Sequence, residues 1–167
     1  RRGLVPTMVR CMTVVVRRAT VAEIMPLRHA VLRPGYPPEA SHYAEDDVAG
    51  HIGAWDDSTL IGCATVFADP WPGPPAAPDA WRLRGMAVDP SRQGTGLGAQ
   101  VLAEAVAAAR AAAAPLIWAN ARTTALGFYQ RYGWQVAGEE FLASDTGLPH
   151  FPILLALGQS GSNSPPA

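Results

Sequence analysis

Between Ser91 and Gln100 the chain reads Ser-Arg-Gln-Gly-Thr-Gly-Leu-Gly-Ala-Gln, with glycine at alternate positions 94, 96 and 98. Glycine enters left-handed backbone conformations freely and lets another molecule approach the main chain. Placed between a strand and a helix N-terminus, such a turn directs unpaired amide N–H groups and the positive end of the helix dipole at one point. The chemistry implied is the holding of a phosphate. A nucleotide-hydrolysing P-loop needs GxxxxGK[ST], and the chain has no lysine: all 13 of its cationic side chains are arginine. The dinucleotide pattern GxGxx[GA] is met by Gly94, Gly96 and Ala99, but the following run LIWAN lacks the acidic residue that takes a ribose. A turn that only lets strand and helix meet closely needs one or two glycines. Three in alternation after Arg92-Gln93 favour a bound ligand.

The elements that must position this turn follow from hydrophobic period and punctuation. A β-branched run predicts a strand over 12–17. Thr20 stands three residues before Glu23, a capping-box spacing, so a helix is expected over 21–32, stopped by Pro34-Gly35. Residues 33–45 are rich in proline and polar groups and read as a long, functional loop. Strands are expected over 51–55 and 59–68 across an Asp56-Asp57-Ser58 turn, then a proline-dense connection and a strand over 81–88. A helix is expected over 98–114 until Pro115, a short buried strand over 116–119, and a second helix over 123–132 capped by Gly133. Strands over 134–142 and 151–157 complete the order β-α-β-β-β-α-β-α-β-β, antiparallel pairs followed by a β-α-β unit.

The 167 residues are 49% hydrophobic and 16% charged, with net charge -1. That profile suits one globular domain, expected over 12–158, and argues against a nucleic-acid partner, which needs a basic excess. No apolar run approaches the roughly 20 residues of a membrane helix. Residues 1–11 are expected to be a flexible leader, since no sustained apolar region follows their basic residues, and 159–167 a disordered tail. Cys11 and Cys63 lie far apart without metal-ligand spacing, so neither a metal nor a disulfide framework is expected, and a reduced cytoplasm fits.

The run LRGMAVDPSRQGTGLGAQVL closely resembles the acetyl-CoA motif of the GNAT family of N-acetyltransferases, [RQ]xxGx[GA] after a strand, with Gln93, Gly96 and Gly98 filling the pattern. A second run, LIWANARTTALGFYQRYGWQVAGEEF, resembles the family's next motif. The resemblance implies an α/β (α+β) domain: a mixed, mostly antiparallel sheet of six to seven strands flanked by helices and splayed at the acetyl-CoA site. It implies acetyl-CoA as cosubstrate. The main chain of Gln93, Gly94, Thr95, Gly96, Leu97, Gly98 and Ala99 would hold its pyrophosphate, and Met86, Ala87 and Val88 its pantetheine and acyl carbonyl. An amine of a small molecule or peptide would attack the thioester directly, with Tyr129 protonating the departing sulfur. A noncatalytic acyl-CoA-binding module is the alternative, and a homodimer is a possible assembly.

Two departures from the family pattern stand out. Many members have asparagine seven residues before the tyrosine, where this chain has Arg122, a candidate for a coenzyme phosphate, for a substrate carboxylate, or for solvent alone; Asn120 is a nearby substitute. The strand glutamate that serves some members as base has no counterpart, because Arg82 and Arg84 occupy the candidate positions. His150 is the best remaining base, ahead of Glu139 and Glu140. Arg28, Arg33 and Tyr36 are candidates for recognising an anionic or aromatic acceptor, or plain polar positions of the first helix and its loop.

Overall fold

Thr20 caps the first helix as its spacing requires. Its hydroxyl accepts the Glu23 amide proton, and the Glu23 carboxylate accepts the Thr20 N–H at 2.7 Å. In the computed structural model, which describes residues 13–158, α1 runs Val21–Leu32, as expected, after a strand β1 at Val14–Ala19. The expected leader, with Cys11 and Met12, and the tail lie outside the described residues. β2 (Gly50–Asp56), β3 (Thr59–Ala68) and β4 (Trp81–Val88) form an antiparallel meander with β1. α2 (Leu97–Ala111), β5 (Leu116–Arg122), α3 (Leu126–Arg131), β6 (Gln135–Val136), β7 (Phe141–Leu142) and β8 (Pro149–Ala156) follow.

Strand ends shift by a residue or two, the helix expected over 123–132 is a 3-10 turn at Thr123–Ala125 followed by α3, and three further differences have a clear physical reason. α2 ends three residues early because Ala113 turns left-handed at φ 56° and the Ala114 amide returns to the Ala109 carbonyl, which tucks Ala114 into the core. Alanine's high helix propensity hides that stop in the sequence. β5 extends to Arg122 because β8 pairs along its whole length, from Leu116↔Ala156 to Arg122↔His150. The strand expected over 134–142 divides into β6 and β7, both against β8. Pro152 of β8 has no N–H to donate, and a Cβ on Gly138 would stand 2.6 Å from its ring.

The described residues thus form one eight-stranded sheet, ordered β1-β2-β3-β4-β5-β8-β6 with β7 also on β8. Only β4 and β5 are parallel, and they pair only at Trp81↔Ile117 and Arg82↔Trp118 before diverging. The divergence has a cause on the other edge of β4. The β3–β4 register slips between Cys63 and Thr65, opposite Gly85, whose φ is 61°. A bulge there bends the strand away from its parallel neighbour. The main core, with Val101, Leu102, Ala105, Ile117, Ala119 and Ala121, lies under α2, and a smaller cluster of Ile24, Cys63 and Ala87 lies under α1. Because Ile117, Ala119 and Ala121 face α2, strand alternation turns Asn120 and Arg122 to the α1 face.

Candidate active site

A cleft of about 860 Å³ occupies the gap between β4 and β5, reaching from the glycine turn to α3 and to Phe141, Asp145 and His150. One wall is built by the turn after β4. Asp89 accepts from the Ser91 amide at 2.8 Å and its hydroxyl at 2.7 Å, and these bonds hold its carboxyl below the usual range. Arg92 is fixed to Asp56, and the Thr95 hydroxyl donates back to the Arg92 carbonyl at 2.6 Å. Gly94 and Gly96 then take φ of 76° and 85°, and no atom lies within 4 Å of where their Cβ would be. Gly96 caps α2 without any side-chain bond, so the first-turn amides of a 15-residue helix are left for a ligand. A cradle of unpaired amides fits a pyrophosphate.

Gln93, Gly94, Gly96, Gly98 and Ala99 line the cleft, as do Met86, Ala87 and Val88. Thr95 and Leu97 do not. The Thr95 side chain is tied into its own turn and Leu97 is buried in the core, which leaves these two residues only their main chain to offer. In β4 the Asp89 amide donates to Ile61 of β3 at 2.9 Å, so alternation directs the polar main-chain groups of Met86 and Val88 toward the gap. The Val88 carbonyl accepts from Gln93 Nε2 at 3.4 Å.

Tyr129 approaches the same strand from α3. It is buried against the edges of Phe128 and Trp134, with ring centroids 5.2 and 5.4 Å away, and its hydroxyl donates to Met86 Sδ at 3.6 Å. Burial pushes the phenol up to about 12. It therefore stays protonated at neutral pH and rests on a weak thioether acceptor, from which it can be diverted at little cost.

Across the gap, His150 Nδ1 lies 2.8 Å from the Leu148 carbonyl, an oxygen that can only accept. Nδ1 therefore carries the proton, and Nε2 of the neutral ring keeps its lone pair. The ring stacks on Phe141 at 5.9 Å. Opposite it, Arg122 donates through Nη2 to the Leu32 carbonyl at the end of α1, at 2.8 Å. Arg33 pairs with Asp145 at 2.5 Å and also donates to Leu32, and Asn120 also lines the cleft.

The structure does not bring Arg28 or Tyr36 to the cleft. Arg28 has 0% of its side chain exposed: Nη1 donates to both Asp46 carboxylate oxygens, at 3.0 and 2.8 Å, and Nη2 to Thr65. A buried guanidinium must be paired this way, so its charge is not available to an acceptor. Tyr36 is 42% exposed and does not line the cleft. Glu140 accepts from Thr123, and neither it nor Glu139 reaches the cleft.

Arg82 and Arg84 do line it, paired with Asp69 at 3.1 Å and Glu45 at 3.2 Å. Sequence reasoning missed Tyr43, whose ring lies between the guanidinium groups of Arg28 (4.5 Å) and Arg84 (3.9 Å), and missed Asp145. No spacing signal marks either, because their partners come from distant segments. Cys63 is buried behind β4, its thiol pushed up to about 11 by burial, which makes it a core residue and a poor nucleophile. Among the described residues no three His, Cys, Asp or Glu side chains cluster as metal ligands, and no helix is long and apolar enough to cross a membrane.

Comparison with known proteins agrees with this fold. A family model described as the acetyltransferase (GNAT) family matches residues 20–134. An uncharacterized N-acetyltransferase of Bacillus subtilis, YitI, is 32% identical over 128 residues, 75% of this chain and 85% of that protein. A putative N-acetyltransferase from Lactobacillus plantarum superposes with a TM-score of 0.69 at 18% identity, over 87% of this chain and 98% of that one. The crystal structure of the NatC complex bound to Gag peptide and CoA contains a chain that superposes with a TM-score of 0.68 at 17% identity, over 88% of this chain and 100% of that one. The last two share the fold. With the family match spanning most of the chain and the sequence kinship to the Bacillus protein, this chain belongs to the acetyltransferase (GNAT) family.

Proposed function

We propose that the protein transfers an acetyl group from acetyl-CoA to a primary amine of a small molecule or peptide, by direct attack of the amine on the thioester. The observation that carries this reading is the parting of β4 from β5 after Arg82, which opens one cleft onto the glycine-turn amides, the Tyr129 hydroxyl and His150. Acetyl-CoA supplies an activated acyl group and a good leaving group. The chain supplies the rest. Amides of residues 93–99 grip the pyrophosphate, and inward main-chain N–H groups of β4 stabilise charge developing on the thioester oxygen.

His150 Nε2 takes the proton from the incoming amine. Tyr129, with a phenol near 12, does not surrender its proton in the resting state. Its hydroxyl turns from the Met86 sulfur to the departing sulfur and donates a hydrogen bond that strengthens as negative charge builds there. The reduced, buried Cys63 fits a cytoplasmic enzyme and takes no part in the chemistry.

The test is thiol release from acetyl-CoA over a panel of amines, beside calorimetric binding of acetyl-CoA. Turnover that falls in Tyr129→Phe supports the reading. Binding with no turnover on any amine, unaffected by Tyr129→Phe, would leave only an acyl-CoA-binding module. Thermal protection by NAD in place of acetyl-CoA would sink both.

A further inference from the structure

We infer that the amine acceptor carries a carboxylate, and that Arg122 binds it on the α1 face of the sheet; this rests on the acetyl-transfer reading above. The cleft is strongly cationic although the chain as a whole carries a net charge of -1: Arg33, Arg82, Arg84, Arg122 and Arg131 line it against Asp145 alone. Three of these are neutralised, Arg33 by Asp145, Arg82 by Asp69 and Arg84 by Glu45. Arg131 lies on α3, on the donor side, and bonds back to the Gly127 carbonyl. Arg122 is half-buried, and no carboxylate among the described residues pairs with it. One Nη group is held by the Leu32 carbonyl, which anchors that end of the guanidinium while leaving its other N–H donors open.

The face it occupies separates it from the donor. The glycine turn feeds α2, on the opposite side of the sheet, whereas Arg122 is tied to the end of α1. It also stands directly across the β5–β8 ladder from His150, which stacks on Phe141 of β7. Opposed residues of an antiparallel pair have Cβ atoms about 4.5–5.5 Å apart. A cation, a base with a free Nε2 and an aromatic ring thus form one row across three strands. A carboxylate docked on Arg122 brings an amine a few bonds away to His150. A planar guanidinium anchored at one end is well suited to a carboxylate and poorly suited to an uncharged amide in its place.

Matched acceptors test this: α-amino acids and their carboxamides, compared by thiol release and, with the protein saturated in CoA, by calorimetric binding. The carboxylates are expected to exceed their amides at least tenfold in kcat/KM. Arg122→Gln, which retains a donor for Leu32, should raise the acceptor KM about tenfold and bring the ratio near one, while Arg122→Lys keeps much of the preference. Amides turned over as well as carboxylates overturn the inference and leave acetyl transfer standing. So does an Arg122→Gln effect confined to the KM for acetyl-CoA, which would assign the arginine to the donor. If no amino acid or carboxamide is acetylated, carboxylate binding that vanishes in Arg122→Gln still supports the site, and absent or equal binding of the two overturns it. A melting temperature matching the parent shows that each variant is folded.

Discussion

Replacing Gly85 by alanine strikes the feature on which the whole cleft depends. Its φ of 61° places an L-residue in the left-handed region, at roughly 1–2 kcal/mol. The added Cβ would stand 2.8 Å from Tyr43 Cε2 and 3.1 Å from Arg28 Nε. Tyr43 must therefore leave its position between Arg28 and Arg84, weakening two cation–ring contacts worth about 0.5–1 kcal/mol each. Together these amount to about 2–4 kcal/mol. In a domain of this size each kcal/mol lowers the melting temperature by about 2–4 °C, which gives a fall of roughly 4–16 °C. If the variant instead relaxes by removing the bulge, β4 straightens toward β5 and the cleft narrows, so acetyl-CoA binding weakens. The assay pairs calorimetric melting with acetyl-CoA titration. A melting temperature within 2 °C of the parent together with unchanged binding would refute the argument that the Gly85 bulge holds the strands apart.

Tyr129→Phe should lower kcat by about 10²-fold with little change in melting temperature, because the lost hydroxyl bonds only a thioether; rapid-quench turnover beside a melt checks it. The same residue predicts a pH effect. Its folded value near 12 lies above the ordinary value of about 10, so the buried neutral phenol contributes stability that is fully present below pH 10 and is lost as pH rises toward 12. Melts over pH 9–12 should show a shallower alkaline decline in Tyr129→Phe than in the parent. Arg28→Ala leaves Asp46 buried without its partner and should destabilise by about 3–5 kcal/mol, read by denaturant unfolding, whereas an acceptor-binding arginine would change KM in a stable protein. Gly96→Ala meets no atom within 4 Å, so beyond about 1–2 kcal/mol of backbone strain its main effect should be at least a tenfold loss of acetyl-CoA affinity by calorimetry.

What the sequence disclosed is local in origin. The capping box marks α1, the apolar runs bounded by turn residues mark β3 and β4, and the glycine spacing marks the turn that opens α2, because each rests on residues within one turn or one strand of each other. Where the outcome depended on a distant segment, the reading slipped. β5 grew by three residues because Pro152, Phe151 and His150 of β8 pair with them, and one expected strand divided because Pro152 interrupts the ladder. Arg28 and Arg33 looked alike in PLRHAVLR. Asp46 and Thr65 draw the first into the core, and Asp145 holds the second at the cleft.

The same division separates the two halves of the proposed reaction. The donor half is made of main chain: glycine conformations, a helix start and the inward groups of one strand, all encoded by residues 86–99 in sequence order. The acceptor half is made of side chains from α1, β5, β7 and β8, and its electrostatic character appears only when the pairings are known. Five arginines in a cleft would suit any anion. With Arg33, Arg82 and Arg84 already matched to carboxylates, the excess charge on the acceptor face falls on Arg122, beside the histidine best placed to take a proton. A substrate offering one carboxylate and one amine satisfies that arrangement. An amine without the anion would leave a half-buried guanidinium without a counter-charge in the complex, and that cost is what should make the enzyme selective.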